Sequence, residues 1–136
     1  MLKARITSEY HLRVGDNVGA GADVFSQLRA AGIGIVATCC YRIDGEAHLS
    51  FIPGKPREAL EVLSAEGLEA GSEDVLLVEL SDDPGAFAKV LEAIASLGVQ
   101  ASSAYVTPAK EGPALAVIKT DDNAKVLAAF EAGEDA

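Results

Sequence analysis

The chain repeats itself. Against a copy of itself displaced by about 66 residues, DNVGAGADVFSQLRAAGIGI, starting at Asp16, falls over DDPGAFAKVLEAIASLGVQA, starting at Asp82. Asp16 meets Asp82, Gly19 meets Gly85, Ala22 meets Ala88, Val24 meets Val90 and Gly32 meets Gly98. Further on, without a gap, Leu49 meets Leu115 and Ile52 meets Ile118. Chance matches a few alanines more easily than both punctuating glycines and the apolar rhythm between them. Two copies are too few for a solenoid, whose repeats are stabilised by stacking on neighbours. The reading is a duplicated small domain, and 136 residues suffice for two such units.

Each copy has the same order of elements. Alternation marks an opening strand, with Tyr10, Leu12 and Val14 on one face in the first copy and Leu76, Val78 and Leu80 in the second. Helical spacing follows: Val24, Phe25, Leu28 and Ala31, then Phe87, Val90, Leu91, Ile94 and Leu97. Gly32 and Gly98 stand where a left-handed residue ends a helix. Second strands are expected over 33–41 and 99–107, hairpin turns at Asp44-Gly45 and Glu111-Gly112, and third strands over 47–52 and 114–119. Second helices begin near Pro56 and after Asp121. This is the split βαβ order of a ferredoxin-like unit. The fold class is therefore α+β, with two tandem βαββαβ units and antiparallel sheets, divided as 1–71 and 72–136. Leu68–Ala70 can close the first unit. The second has only the polar tail from Glu131 to Ala136, which is expected to fray.

Composition narrows the function. The net charge is −10, which repels phosphate backbones and anionic membrane surfaces, so neither nucleic acid nor membrane is an expected partner. No apolar run is long enough to span a bilayer, and residues 1–10 lack a signal-peptide pattern. Cys39 and Cys40 are adjacent, a spacing that suits a disulfide poorly. A reduced, cytoplasmic protein is expected.

VLLVELSDDPGAFAKVLEAIASLGVQ, from Val75 to Gln100, resembles the opening of an ACT domain: strand, acidic turn, Pro-Gly, helix, Gly, strand. With a first similar unit before it, the chain is similar to the small stand-alone tandem ACT proteins of bacteria. The resemblance implies a non-catalytic regulatory protein that binds a free amino acid, without a cofactor. It also implies a regulated enzyme as partner, while the need to cover the exposed edges of such small sheets points to a homodimer. The ligand would be held by the first strand–helix loop and the start of the next strand. In the first copy those positions are Asp16, Asn17, Val18, Gly19 and Gly34. In the second they are Asp82, Asp83, Pro84, Gly85, Ala86, Phe87 and Gln100. The first copy lacks the proline, and Gly34 and Gln100 stand where the family often has Asn.

The chemistry of the loops fits. Asp83 reads as an N-cap and Pro84 as a first helical residue. Gly85 allows a ligand close to the backbone, where first-turn N–H groups favour a carboxylate. The blander reading makes these loops helix caps alone. Two rival functions follow: a ligand-free docking or dimerisation module, and a small metal-binding protein using His11, His48 and Cys40. His11 and His48 are expected on the polar face of one sheet by alternation, with Cys40 as a third ligand that could join them, although the spacing matches no zinc motif.

Overall fold

The computed structural model describes residues 2–15, 19–109 and 111–133. The order of elements is β1 (Ala4–Val14), α1 (Ala20–Ala30), β2 (Ile35–Ile43), β3 (Glu46–Pro53), α2 (Pro56–Ala65), β4 (Gly71–Glu79), α3 (Ala86–Ser96), β5 (Ala101–Thr107), β6 (Leu115–Thr120) and α4 (Asn123–Glu131). The chain falls into two compact units, residues 8–73 and residues 1–7 together with 74–136. Both are ferredoxin-like. The expected fraying of the tail concerns mostly Glu134–Ala136, which lie outside the described residues. Glu131 itself ends α4.

In the first unit the strands run β2-β3-β1, with the start of β4 beyond β1. β3 is antiparallel to both neighbours, with Leu12 opposite Leu49 and Thr38 opposite Phe51. The hairpin between β2 and β3 turns on Asp44 (φ 50°) and Gly45 (φ 77°). Both residues are left-handed, as the tight two-residue hairpin turn requires. Helices α1 and α2 cover one face. Leu12, Val24, Leu28, Leu49, Phe51, Ala59 and Leu63 form the buried core, with Tyr10, Val14 and Leu68 at its margin.

The second unit repeats this plan as β5-β6-β4, and the beginning of β1 takes the fourth strand position. The Glu79 N–H donates to the Lys3 carbonyl at 2.9 Å. Leu2 and Ala4 pack against the second core, built on Leu76, Val78, Val90, Ile94, Ala116, Ile118, Val126 and Phe130. The closing strand of the second unit is thus supplied by the start of β1. Gly71–Glu73 belong to the first unit in the same way. The first strand of each repeat is consequently long, because its first half closes one unit and its second half opens the other.

Helices α1 and α3 end as the glycine punctuation predicts. Gly32 and Gly98 have φ of 77° and 75°. The Gly32 N–H bonds the Arg29 carbonyl and the Ile33 N–H bonds that of Leu28, which satisfies carbonyls the helix leaves open.

One part of the ungapped repeat needs correction. Leu76 is opposite Ile118 and Val78 is opposite Ala116, whereas Tyr10 is opposite Phe51 and Leu12 opposite Leu49. Leu49 therefore corresponds to Ala116 and Phe51 to Ile118, one residue off the ungapped match. The extra residue lies in the connection after β5, which is longer than the Asp44-Gly45 turn. A slip of one residue moves a strand's side chains to the other face. That is why Ile52 is not a member of the first core although Ile118 belongs to the second.

Candidate functional site

The strand–helix loop of the second unit runs from Ser81 to Gly85 and is exposed through Pro84. The N-cap of α3 is Gly85, not Asp83, and the helix begins at Ala86. Asp83 acts one step earlier. Its carbonyl accepts the Ala86 N–H at 3.0 Å and its Oδ1 accepts the Gly85 N–H at 3.4 Å. Pro84 and Gly85 are the corners of that tight turn rather than helical residues. Ser81 Oγ accepts the Asp83 N–H at 3.4 Å. The first i to i−4 bond of α3 runs from the Lys89 N–H to the Gly85 carbonyl. The N–H groups of Phe87 and Ala88 precede it and head the helix without an intrahelical acceptor.

Lys89 adds a feature the sequence reading missed. Its Nζ lies 3.3 Å from Asp83 Oδ2, folding back over the first turn. The Lys89 hydrogen bond first, then the Gly85 N–H, hold the Asp83 carboxyl below its ordinary value of 3.8. A carboxyl lowered in the folded state stabilises the fold above the unfolded value, and that contribution is lost as pH falls through the folded value. Both groups are half-exposed, so the effect on stability is small. In Lys89→Met, Asp83 is expected to titrate at higher pH than in the parent. Carboxyl-carbon NMR checks this, and an unchanged midpoint would remove Lys89 from the loop's electrostatics.

Gly85 sits at φ −89°, and a Cβ built there meets no atom within 4 Å. The space over the first turn is open. Phe87 is turned the other way, packing against the second core beside Ala86. Asp82 is exposed. The backbone of Gln100 is tied to the turn before α4: its N–H donates to Asp121 Oδ1 at 3.3 Å and its carbonyl accepts the Asp121 N–H at 3.1 Å.

In the first unit, Asp16, Asn17 and Val18 lie outside the described residues. Gly19 is the N-cap of α1 with φ 87°, a left-handed conformation that its counterpart Gly85 does not share. The two loops are therefore not conformational copies. The Gly34 carbonyl accepts the Gly54 N–H at 2.9 Å, the equivalent of the tie between Gln100 and Asp121.

The metal reading fails on register. His11 and Cys39 both lie opposite Ser50, while Cys40 lies opposite Leu49, a core residue. Cys40 therefore occupies the other face from His11. His48 stacks on Tyr41, with centroids 5.1 Å apart. His11 Nδ1 shares a hydrogen bond of 2.8 Å with Ser50 Oγ, and its Nε2 lies 3.6 Å from Glu9 and 3.7 Å from Glu73. Among the described residues no group of three or more His, Cys, Asp or Glu is placed to hold a metal ion. No described helix is long and apolar enough to cross a membrane.

The paired ferredoxin-like units and their Asp-Pro-Gly loop agree with a family comparison. A model of the ACT domain pair matches residues 6–129. The chain belongs to the ACT domain pair family. Among solved structures, this ACT pair is similar to protein BT0572 from Bacteroides thetaiotaomicron, with 22% identity, a TM-score of 0.86, and coverage of 97% of this chain and 91% of that one. It is also similar to the regulatory subunit of aspartate kinase from Thermus thermophilus in its ligand-free form, at 22% identity and TM-score 0.63, covering 97% and 98%. The corresponding subunit from Thermus flavus matches at 22% identity and TM-score 0.61, covering 98% and 97%. At these identities the likeness is one of fold. No curated protein matches the sequence.

Proposed function

We propose that this ACT pair is a non-catalytic regulatory protein that binds a free amino acid at the loop between β4 and α3. The observation that carries the reading is Gly85: it heads α3 with open space above its Cα. A ligand carboxylate can settle there against the Phe87 and Ala88 N–H groups, at the positive end of the helix dipole. Asp83 does not block it, because Lys89 compensates its charge. The long bond from the Gly85 N–H to Asp83, 3.4 Å, is weak enough to exchange for a ligand oxygen. Exposed Asp82 supplies negative charge for the ammonium group. The likeness to regulatory subunits of aspartate kinase supports a role in controlling an enzyme. Binding would act by stabilising the conformation that holds the ligand.

Thermal melting against each of the twenty amino acids at millimolar concentration tests this. At ten times its Kd a ligand adds about 1.4 kcal/mol, which raises the melting temperature of so small a domain by several degrees. Gly85→Val is expected to abolish the rise while lowering the melting temperature of the free protein by only a few degrees, since its side chain enters empty space at an ordinary φ and only the N-cap preference is lost. A rise that survives Gly85→Val moves the site elsewhere. No rise with any amino acid favours the rival docking module. That rival has its own support: Tyr41 and Ile43 on β2 and Val106 on β5 are exposed, on strands that form the outer edge of their units. Such edges suit pairing with another chain, and a homodimer belongs to either reading.

A further inference from the structure

The second unit contains a recess of about 340 Å³ that lies apart from the β4–α3 loop. It is built from residues 3–5, the end of β4, and Ala109, Glu111, Pro113 and Leu115. Its lining includes Lys3, Arg5, Leu77, Glu79, Glu111 and Pro113. Alternation explains the composition. Leu2, Ala4, Leu76, Val78 and Leu80 pack on the helix side, so Lys3, Arg5, Leu77 and Glu79 point to the opposite face. The Glu79 N–H to Lys3 carbonyl bond sets the two strands side by side at this point. Leu77, only 4% exposed, gives the recess an apolar floor.

The charges around it are unusual. Two cations and two anions line one small concavity, yet among the described residues none of the four is engaged in an ion pair or a side-chain hydrogen bond. Opposite charges around one recess normally pair when their side chains reach. Here they stand as separate, unspent recognition groups over an apolar floor. Adjacent Lys and Arg on one strand face suit a carboxylate, with Arg able to hold both oxygens. Glu79 and Glu111 suit an ammonium. The volume lies at the small end of ligand pockets.

We infer that this recess is a second ligand site, which takes a compact zwitterion bearing one carboxylate and one ammonium group. It does not depend on the loop site. Lys3 and Arg5 belong to the segment that closes the second unit, whereas Leu77 and Glu79 belong to β4. An occupant therefore fastens the closing strand to its neighbour. Ligand binding here is linked to the integrity of the second unit, by mass action on the closed form.

The full chain is titrated by NMR with β-alanine, γ-aminobutyrate and the twenty amino acids, with butyrate and butylamine as singly charged controls. At least one zwitterion is expected to shift the amide signals of residues 3–5, 77, 79 and 115, and to slow exchange of the Glu79 amide. Butyrate and butylamine are expected to bind at least about tenfold more weakly. The double variant Lys3→Gln, Arg5→Gln and, separately, Glu79→Gln are expected to lose the effect. Gly85→Val is expected to keep it, which separates this site from the loop. Gln is close in shape to each replaced side chain, at exposed Lys3 and Arg5 and at half-buried Glu79, and retained amide dispersion confirms folding. The inference is overturned by any of three results: no zwitterion shifts these signals, a singly charged control binds equally well, or the variants respond like the parent.

Discussion

Deleting residues 2–7 is expected to unfold the second unit's sheet while the first unit keeps its core. These residues fill the fourth strand position beside β4, and the Glu79 N–H loses its acceptor when Lys3 is removed. Leu2 and Ala4 also leave the second core. Burial of a Leu contributes about 1.5–3 kcal/mol and each backbone hydrogen bond about 1 kcal/mol. Leu2 is only partly buried, so the loss is on the order of 3 kcal/mol, a large share of the stability of a small unit. Hydrogen exchange of the amides of Leu76–Glu79 and Leu115–Thr120 reads this directly, with Leu49–Ile52 as the internal reference. Full protection in β4 and β6 after the deletion would show that the N-terminal segment contributes nothing there. A milder form of the test, Leu2→Asp with Ala4→Asp, retains the chain length and should give a partial effect in the same amides.

This arrangement marks the boundary of what the sequence discloses. Glycines with a forced backbone conformation were readable: Gly32, Gly98 and Gly45 all adopt positive φ where helix ends and a hairpin were expected. Core faces followed from alternation and helical spacing, as Leu12, Leu76, Val24 and Val90 show. The closing strand of the second unit was not readable, because strand pairing is a contact between distant segments. Alternation in Lys3-Ala4-Arg5-Ile6 marks a strand without naming its neighbour. The same limit applies to the sites. Asp83 looks like an N-cap in sequence, but its side chain caps a turn two residues before α3. Lys89, six residues on, becomes its partner only when the helix turns it back. The recess around Leu77 draws residues 3–5 together with residues from positions 77–115, and no local motif announces it.

Phe51→Ala is expected to cost about 3–5 kcal/mol, enough to melt the first unit. Phe51 is fully buried, its ring 5.9 Å from Phe25 in an edge-on contact and 6.2 Å from Tyr10. The corrected repeat gives this residue a further meaning. Its equivalent is Ile118, and the equivalent of Leu63 on α2 is Phe130 on α4, just as Ala59 corresponds to Val126. Each core thus holds one phenylalanine in this layer, on the sheet in the first unit and on the second helix in the second. Packing at close to crystalline density conserves total volume more strictly than the identity of any one residue. Phe51→Ile alone should therefore destabilise by about 1–2 kcal/mol through the space it leaves. Adding Leu63→Phe, which copies the second unit's solution, should recover at least half of that loss. Urea denaturation followed by the amide signals of Leu12, Leu49 and Leu28 measures all three variants. If Leu63→Phe worsens Phe51→Ile instead, the two cores are not interchangeable packings of one motif, and the duplicated units have diverged in backbone spacing as well as in side chains.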